Sequence, residues 1–305
     1  MNRLRERARG RAKHGSCGLG IGEARHFWLR YGKDAVTAGD LRDPALLREK
    51  LALLRDRLLL DLQELPSIDG PTARVLYETP PAREADALIR AARPLQVSAA
   101  MPRARTVVFE GAQGILLDEY FGFHPYTTWS TVTSLHALEL VEEYGFDEVE
   151  VLGVTRAYAT RHGAGPLPTH DPVMTARLSD PGNPANAWQD SLRAGPLDLV
   201  LLAYAARSGR IDGIVVNGLD HLPGRFRVCR AYRDPAPLET PRCLREQERL
   251  TRILEAAQPV YEETTEDGLL GMLEEIAPVR MVGRGPSSAD RTLIRAAEPA
   301  TVPPR

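Results

Sequence analysis

Gly111-Ala112-Gln113-Gly114 places a carboxamide between two glycines, directly after the apolar run Val107-Val108-Phe109. A β-branched and aromatic run of this kind predicts a buried strand. The glycines at Gly111 and Gly114 let backbone approach a ligand closely or take positive φ. Open α/β sheets bind ligands at the carboxyl ends of their strands, which makes Gln113 a candidate contact. Two further segments carry hydroxyls, guanidinium groups and closely spaced glycines: Pro125-Tyr126-Thr127-Thr128-Trp129-Ser130, and Thr160-Arg161-His162-Gly163-Ala164-Gly165-Pro166-Leu167-Pro168-Thr169. Such donors suit phosphate and carboxylate oxygens. An isolated Gly-x-x-Gly is usually a plain strand-to-helix turn with a solvated side chain, and only these flanking segments argue otherwise.

The elements that must position these groups alternate between strand and helix. Leu46, Leu47, Leu51, Leu54, Leu58 and Leu62 recur at three- and four-residue intervals, predicting a long amphipathic helix over Pro44–Leu65. A less regular helical stretch covers Pro81–Arg93. Strands are predicted at Thr106–Phe109, Val149–Val154, Ile214–Val216, Phe226–Cys229 and Val279–Val282, with helices at Val132–Tyr144, Leu197–Ser208 and Arg242–Ala257. This alternation predicts an α/β fold, a mainly parallel sheet with helices on both faces, in a single domain spanning 1–305. Pro181–Asn186 reads as a surface loop, and residues 296–305 as a frayed tail.

Composition narrows the function. A chain of 305 residues with 43% hydrophobic content can bury a sizeable core. A formal net charge of −2 gives no bulk field to attract nucleic acid or an anionic membrane. Cys17, Cys229 and Cys243 are odd in number and lack Cys-x-x-Cys spacing, so neither a disulfide framework nor a zinc site is indicated, and a reducing cytoplasm fits best. No apolar run reaches membrane-spanning length, and none near the start has a secretory character. Arg3, Arg5, Arg7, Arg9, Arg11 and Lys13 are read as the basic end of a first helix that stops at a glycine-rich loop beginning at Gly15.

The Gly-Ala-Gln-Gly, Pro-Tyr-Thr-Thr and Thr-Arg-His-Gly-Ala-Gly-Pro-Leu-Pro-Thr segments, with His14-Gly15-Ser16-Cys17-Gly18-Leu19-Gly20-Ile21-Gly22 near the start, resemble the adenylosuccinate synthetase family in order and spacing. The resemblance runs from about Arg5 to about Thr292. It implies a P-loop-related α/β fold and a ligase of purine nucleotide biosynthesis. That reaction joins aspartate to the 6 position of a purine nucleoside monophosphate at the expense of GTP, with magnesium. It also implies a homodimer. By the same resemblance, Gln113, Thr128, Ser16 and Cys17 contact the nucleotide, and Arg30 reaches the neighbouring subunit's phosphate. An exposed helix-end arginine reads equally well at Arg30. Asp220, in Asn217-Gly218-Leu219-Asp220, reads guanine, and Gly285 lies on the other side of that site. Arg193 is the one arginine retained of an aspartate-gripping, arginine-rich loop.

Departures from the family pattern are also legible. Asn186-Ala187-Trp188-Gln189-Asp190 stands where that loop carries arginines, so Trp188 and Gln189 define either a variant pocket or a loop anchor. The lysine beside the guanine-reading aspartate is replaced by Gly218, which relaxes the choice between GTP and ATP. The phosphate-binding motif Gly-Asp-Glu-Gly-Lys-Gly-Lys and the Gly-His-Asn segment, with their catalytic Asp and His, do not occur in these 305 residues. Accordingly no catalytic residue and no metal ligand is assigned, and the sheet is expected to lack its first strands. Three readings follow: a ligase completed by another segment or chain, a variant taking dGMP in place of IMP as phage-type 2-aminoadenine enzymes do, or a non-catalytic nucleotide-binding or regulatory protein.

Overall fold

The computed structural model describes residues 1–10, 13–65, 70–95, 97, 106–178, 188, 191–234, 238–294 and 300–301. Where the sequence suggests one domain, Cα proximity groups the chain into two compact units, Met1–Val108 and Phe109–Arg305.

The first unit is helical: α1 (Asn2–Arg9), α2 (Ile21–Tyr31), α3 (Pro44–Gln63), α4 (Pro71–Glu78) and α5 (Pro81–Ala92). The first of these stops earlier than expected, because Gly10 takes a positive φ of 56° and turns the chain at once. Its last turn holds Arg7 and Arg9, which complement the helix dipole. The leucine-rich helix α3 starts where the Asp43 carboxylate accepts from the amides of Ala45 (3.0 Å) and Leu46 (3.1 Å), with Pro44 opening the first turn. Its apolar face buries Leu47 and Leu62 fully, and Leu62 packs with Leu4 and Ala73. A polar knot braces its first half: Lys50 donates to Asp40 (2.9 Å) and to the Ala35 carbonyl (3.1 Å), while the Thr37 amide donates to Asp40 (2.7 Å).

The second unit contains α6 (Leu135–Tyr144), β1 (Glu148–Val149), β2 (Leu152–Arg156), β3 (Tyr158–His162), α7 (Pro172–Arg177), β4 (Leu192–Pro196) and α8 (Leu199–Gly209). It continues through β5 (Gly213–Asn217), β6 (Phe226–Tyr232), α9 (Leu244–Ala256), β7 (Pro259–Thr264), α10 (Glu266–Glu274), β8 (Val279–Gly283), β9 (Arg291–Leu293) and β10 (Ala300–Thr301). The principal sheet has the order β2-β5-β8-β9, its first two pairings parallel and the last antiparallel. Central β5 is nearly all β-branched and buried along Gly213–Val216, as a strand paired on both sides should be. Ile214, Val216, Val279 and Val282 pack against Leu269 and Leu273 of α10. Each such side chain contributes about 1.5–3 kcal/mol by leaving water. A second core joins Phe123, Leu201, Tyr204, Cys229, Leu250 and Leu254. Antiparallel ladders β3–β4 and β6–β7 flank the sheet sequence.

Several expectations need correction. Thr106–Phe109 is not a strand: among the described residues no strand pairs with it, and Val108 is 86% exposed. β-propensity reports fit to a half-buried pleated surface, and without a ladder partner the run stays irregular. Val149–Val154 divides into two short strands rather than one. Within the expected tail, strand β10 pairs antiparallel with β1; the rest of 296–305 lies outside the described residues, as does the 181–186 loop.

Candidate functional site

Asp118 organises the segment that carries Gln113 and Thr128. Its fully buried carboxylate accepts from the amides of Tyr120 (2.8 Å) and Phe121 (3.1 Å) through one oxygen and from Val132 (2.7 Å) through the other. Burying a charge is costly unless hydrogen bonds replace its water, and three amides supply them here. The result ties the Gly111–Leu117 stretch to the far end of the 125–132 segment. Between those ends the Thr128 amide donates to the Leu117 carbonyl (2.8 Å). Further support comes from α9, where Thr251 donates to the His124 carbonyl (2.7 Å) and Gln247 to that of Glu119 (2.9 Å).

On this frame Thr128 is half-buried, its hydroxyl 3.5 Å from that of Ser130, and Gln113 is exposed in an open turn. Of the two uses expected for Gly111 and Gly114, positive φ is not taken, and Gly114 has φ −89°. What they provide is room. A Cβ at Gly114 would meet nothing within 4 Å, and one at Gly111 only the Val132 carbonyl at 3.9 Å. Without a strand before it, Gln113 sits on a loop held by Asp118, not at a strand end.

Arg161 and Arg193 face each other across the β3–β4 ladder. Arg161, 8% exposed, donates to the carbonyls of Ala164 (2.8 Å) and Tyr126 (2.9 Å). Burial, and then the neighbouring Arg193 guanidinium, push its pKa down to about 10, so it remains charged at neutral pH. Arg193 donates to the carbonyls of Gly163 (2.8 Å) and Gly165 (2.7 Å). These two bonds shape the 163–165 turn, beside which Arg193 was expected to grip a dicarboxylate. Beside that turn, His162 Nε2 and the Thr169 hydroxyl are buried without a protein partner. Trp188 is half-buried, and Gln189 lies outside the described residues.

Asp220 and Gly285 follow the adjacent parallel strands β5 and β8, and so come to neighbouring strand ends. Asp220 is exposed, 3.8 Å from His221 Nε2, and Gly218 turns the chain at φ 76° against the Tyr158 ring. Gly285 lies beside Asp290, whose carboxylate accepts from the Ser287 amide (2.8 Å) and hydroxyl (2.6 Å). The Asn217 side chain accepts from Arg291.

In the helical unit, Ser16 donates to the Asn2 side chain (3.0 Å), and the Gly15 amide donates to buried Glu6 (3.0 Å), so α1 holds the 14–20 loop. Cys17 is half-buried with a free thiol. Arg30 is exposed at the end of α2, its guanidinium 5.4 Å from the Tyr31 ring centre. The sequence reading gave no role to Asp118, four residues past the Gly-Ala-Gln-Gly turn, or to Arg161, within the Thr160–Thr169 segment; their burial was the missing signal.

Among the described residues no three of His, Cys, Asp and Glu form a metal-binding group, and both oxygens of Asp118 accept from backbone amides. The described residues do not form a carboxylate cage for magnesium. Nor is any helix among them long and apolar enough to cross a membrane.

The fold defines the class: an α/β protein with a mainly parallel sheet and loops gathered at the strand ends. Comparison with known proteins then gives the family. The adenylosuccinate synthetase family model matches residues 1–287. An adenylosuccinate synthetase of Chromobacterium violaceum is 33% identical over 322 residues, covering 98% of this chain and 72% of the relative. One from Xylella fastidiosa is 32% identical over 243 residues, covering 76% of this chain and 55% of the relative. A fully ligated adenylosuccinate synthetase from Plasmodium falciparum superposes with a TM-score of 0.66 at 20% identity, covering 96% of this chain and 74% of that one, a likeness of fold. This chain belongs to the adenylosuccinate synthetase family, and it spans between about half and three-quarters of the length of these relatives.

Proposed function

We propose that this chain binds a purine nucleoside monophosphate, IMP or dGMP, for a ligase reaction that joins aspartate to the purine 6 position at the expense of GTP or ATP. The observation that carries this reading is the Asp118-centred frame. It ties the stretch that bears the exposed Gln113 carboxamide to the one that bears the half-buried Thr128 hydroxyl, two segments whose sequences resemble the family's nucleotide-contacting motifs. A neutral hydroxyl and backbone amides are effective phosphate donors. Ser16 and Cys17 on the other loop, and Arg30 acting across a homodimer, are the further contacts of the same proposal.

We infer that the purified 305-residue chain binds monophosphate without turnover. Phosphoryl transfer needs a γ-phosphate cradle, a base and magnesium in place together. The Gly-Asp-Glu-Gly-Lys-Gly-Lys motif is not in this sequence, and no acidic cluster forms among the described residues. The cradle would come from another segment or chain. Leu152 and Val154 on β2, 44% and 69% exposed, offer the apolar edge such a completion would cover. Calorimetric titration of IMP and dGMP, with a parallel assay containing aspartate, GTP and magnesium, tests both parts. Binding without product is expected. Absence of binding overturns the site, and steady product formation overturns the division of labour.

A further inference from the structure

Within the second unit, Arg161 is a buried cation whose hydrogen bonds join two different segments. Its Nε donates to Ala164 in the turn after β3, and its Nη2 donates to the Tyr126 carbonyl, two residues before Thr128. A planar guanidinium can hold two carbonyls from separate segments in one fixed geometry, which a lysine ammonium on a flexible stem does not. The surroundings are shaped around it. Gly165 takes φ 104°, and a Cβ there would stand 2.5 Å from Arg161 Nη2 and 2.7 Å from the Tyr126 Cβ, so any side chain would displace the link. Arg193 holds the same turn from the opposite strand through the Gly163 and Gly165 carbonyls. The stretch bearing Thr128 is therefore clamped at both ends: by Asp118 through the Val132 amide, and by Arg161 through the Tyr126 carbonyl.

We propose that Arg161 is a positioning residue for the nucleoside monophosphate site, setting the orientation of Thr128 by locking Tyr126 to the 163–165 turn. The proposal rests on the function proposed above. It predicts that ligand affinity responds to a side chain whose observed hydrogen bonds are spent on the protein's own carbonyls, and that the response passes through Thr128.

IMP is titrated by calorimetry into wild type, Arg161→Lys, Arg161→Met, Thr128→Ala and the Arg161→Met/Thr128→Ala double variant, and ligand-free amide spectra are recorded for each. Arg161→Met is expected to weaken IMP binding about tenfold and to shift the Tyr126–Thr128 and Gly163–Gly165 amides without IMP present, while α9 amides stay in place. Arg161→Lys should recover part of the affinity. The double variant should bind no more weakly than Arg161→Met alone, the non-additivity expected of residues acting in series. Should Arg161→Met not fold, Gly165→Ala, which pushes on the same guanidinium, serves in its place. Unchanged affinity, or unmoved Tyr126–Thr128 amides, overturns the proposal, as does an additive double variant. If wild type fails to bind IMP, the function proposed above is wrong; the ligand-free amide shifts still decide whether the clamp exists.

Discussion

Asp40 in the helical unit and Asp198 in the sheet-containing unit are both buried, yet their carboxyl groups are shifted in opposite directions. At Asp40 burial opposes ionisation, but the Thr37 amide and the Lys50 ammonium outweigh it and hold the pKa below the usual carboxylate range. At Asp198 burial dominates and raises the pKa, although the Tyr232 hydroxyl (2.7 Å) and the amides of Leu201 and Val200 (both 3.1 Å) donate to it. The balance differs: at Asp40 a cation adds to neutral donors and together they outweigh burial, whereas at Asp198 neutral donors act alone and burial prevails. The two units are built accordingly. The helical unit joins a thin core of Leu4, Leu62 and Ala73 to charged pairs such as Arg5–Asp61 (2.8 Å), whereas the other has two larger apolar cores and caps its helix α8 with Asp198.

The strongest test of that contrast removes core volume. Phe123 is fully buried with its ring 5.7 Å from that of Tyr204, and Phe123→Ala is expected to cost about 3–5 kcal/mol in denaturant unfolding. Asp198→Ala should come next. It strips the cap from α8 and leaves the Tyr232 hydroxyl unpaired, for a loss of about 3 kcal/mol. Lys50→Met should cost about 2 kcal/mol, less than a fully buried pair because Lys50 keeps some solvent contact.

The pH profiles separate the two aspartates further. Asp40 has a depressed native pKa, so its stabilisation is present above the ordinary value of 3.8 and is lost as pH falls through the native value. Lys50→Met should shrink that acid-side loss. For Asp198 the native pKa is raised, so stability declines as pH rises from 3.8 through the native value, and Asp198→Asn should flatten that decline while keeping the cap. Equal pH profiles for the two variants would dissolve the contrast. The smallest effect is on ligand binding: Thr128→Ala, removing one neutral hydrogen bond, should weaken IMP binding by about 0.5–1.5 kcal/mol with little change in stability.

Local pattern was legible wherever a segment makes its own structure. The leucine spacing of α3, the β-branched run of β5 and the apolar stretch of β8 appear in the structure close to where the sequence places them, because periodicity and propensity act over neighbouring residues. The motifs carrying the family resemblance were legible too, as strings whose chemistry needs glycine, hydroxyl and guanidinium at fixed spacing. The sequence reading left out α4, α7 and α10, which are short helices of 8, 6 and 9 residues.

By itself the sequence determined the α/β class, the family and which segments bear the candidate contacts. Tertiary structure decided what each residue in those segments does. Val107-Val108-Phe109 has the composition of a strand and lacks one, because a ladder requires a partner that composition cannot specify. Arg161, to which the sequence assigned no role, donates to the Tyr126 and Ala164 carbonyls, and Arg193 donates to those of Gly163 and Gly165, bonds that no local pattern specifies. Asp118 holds the candidate site's two segments together through three amides, one of them fourteen residues away. Such roles depend on which polar groups folding removes from water together, a property of the packed chain and not of any stretch within it.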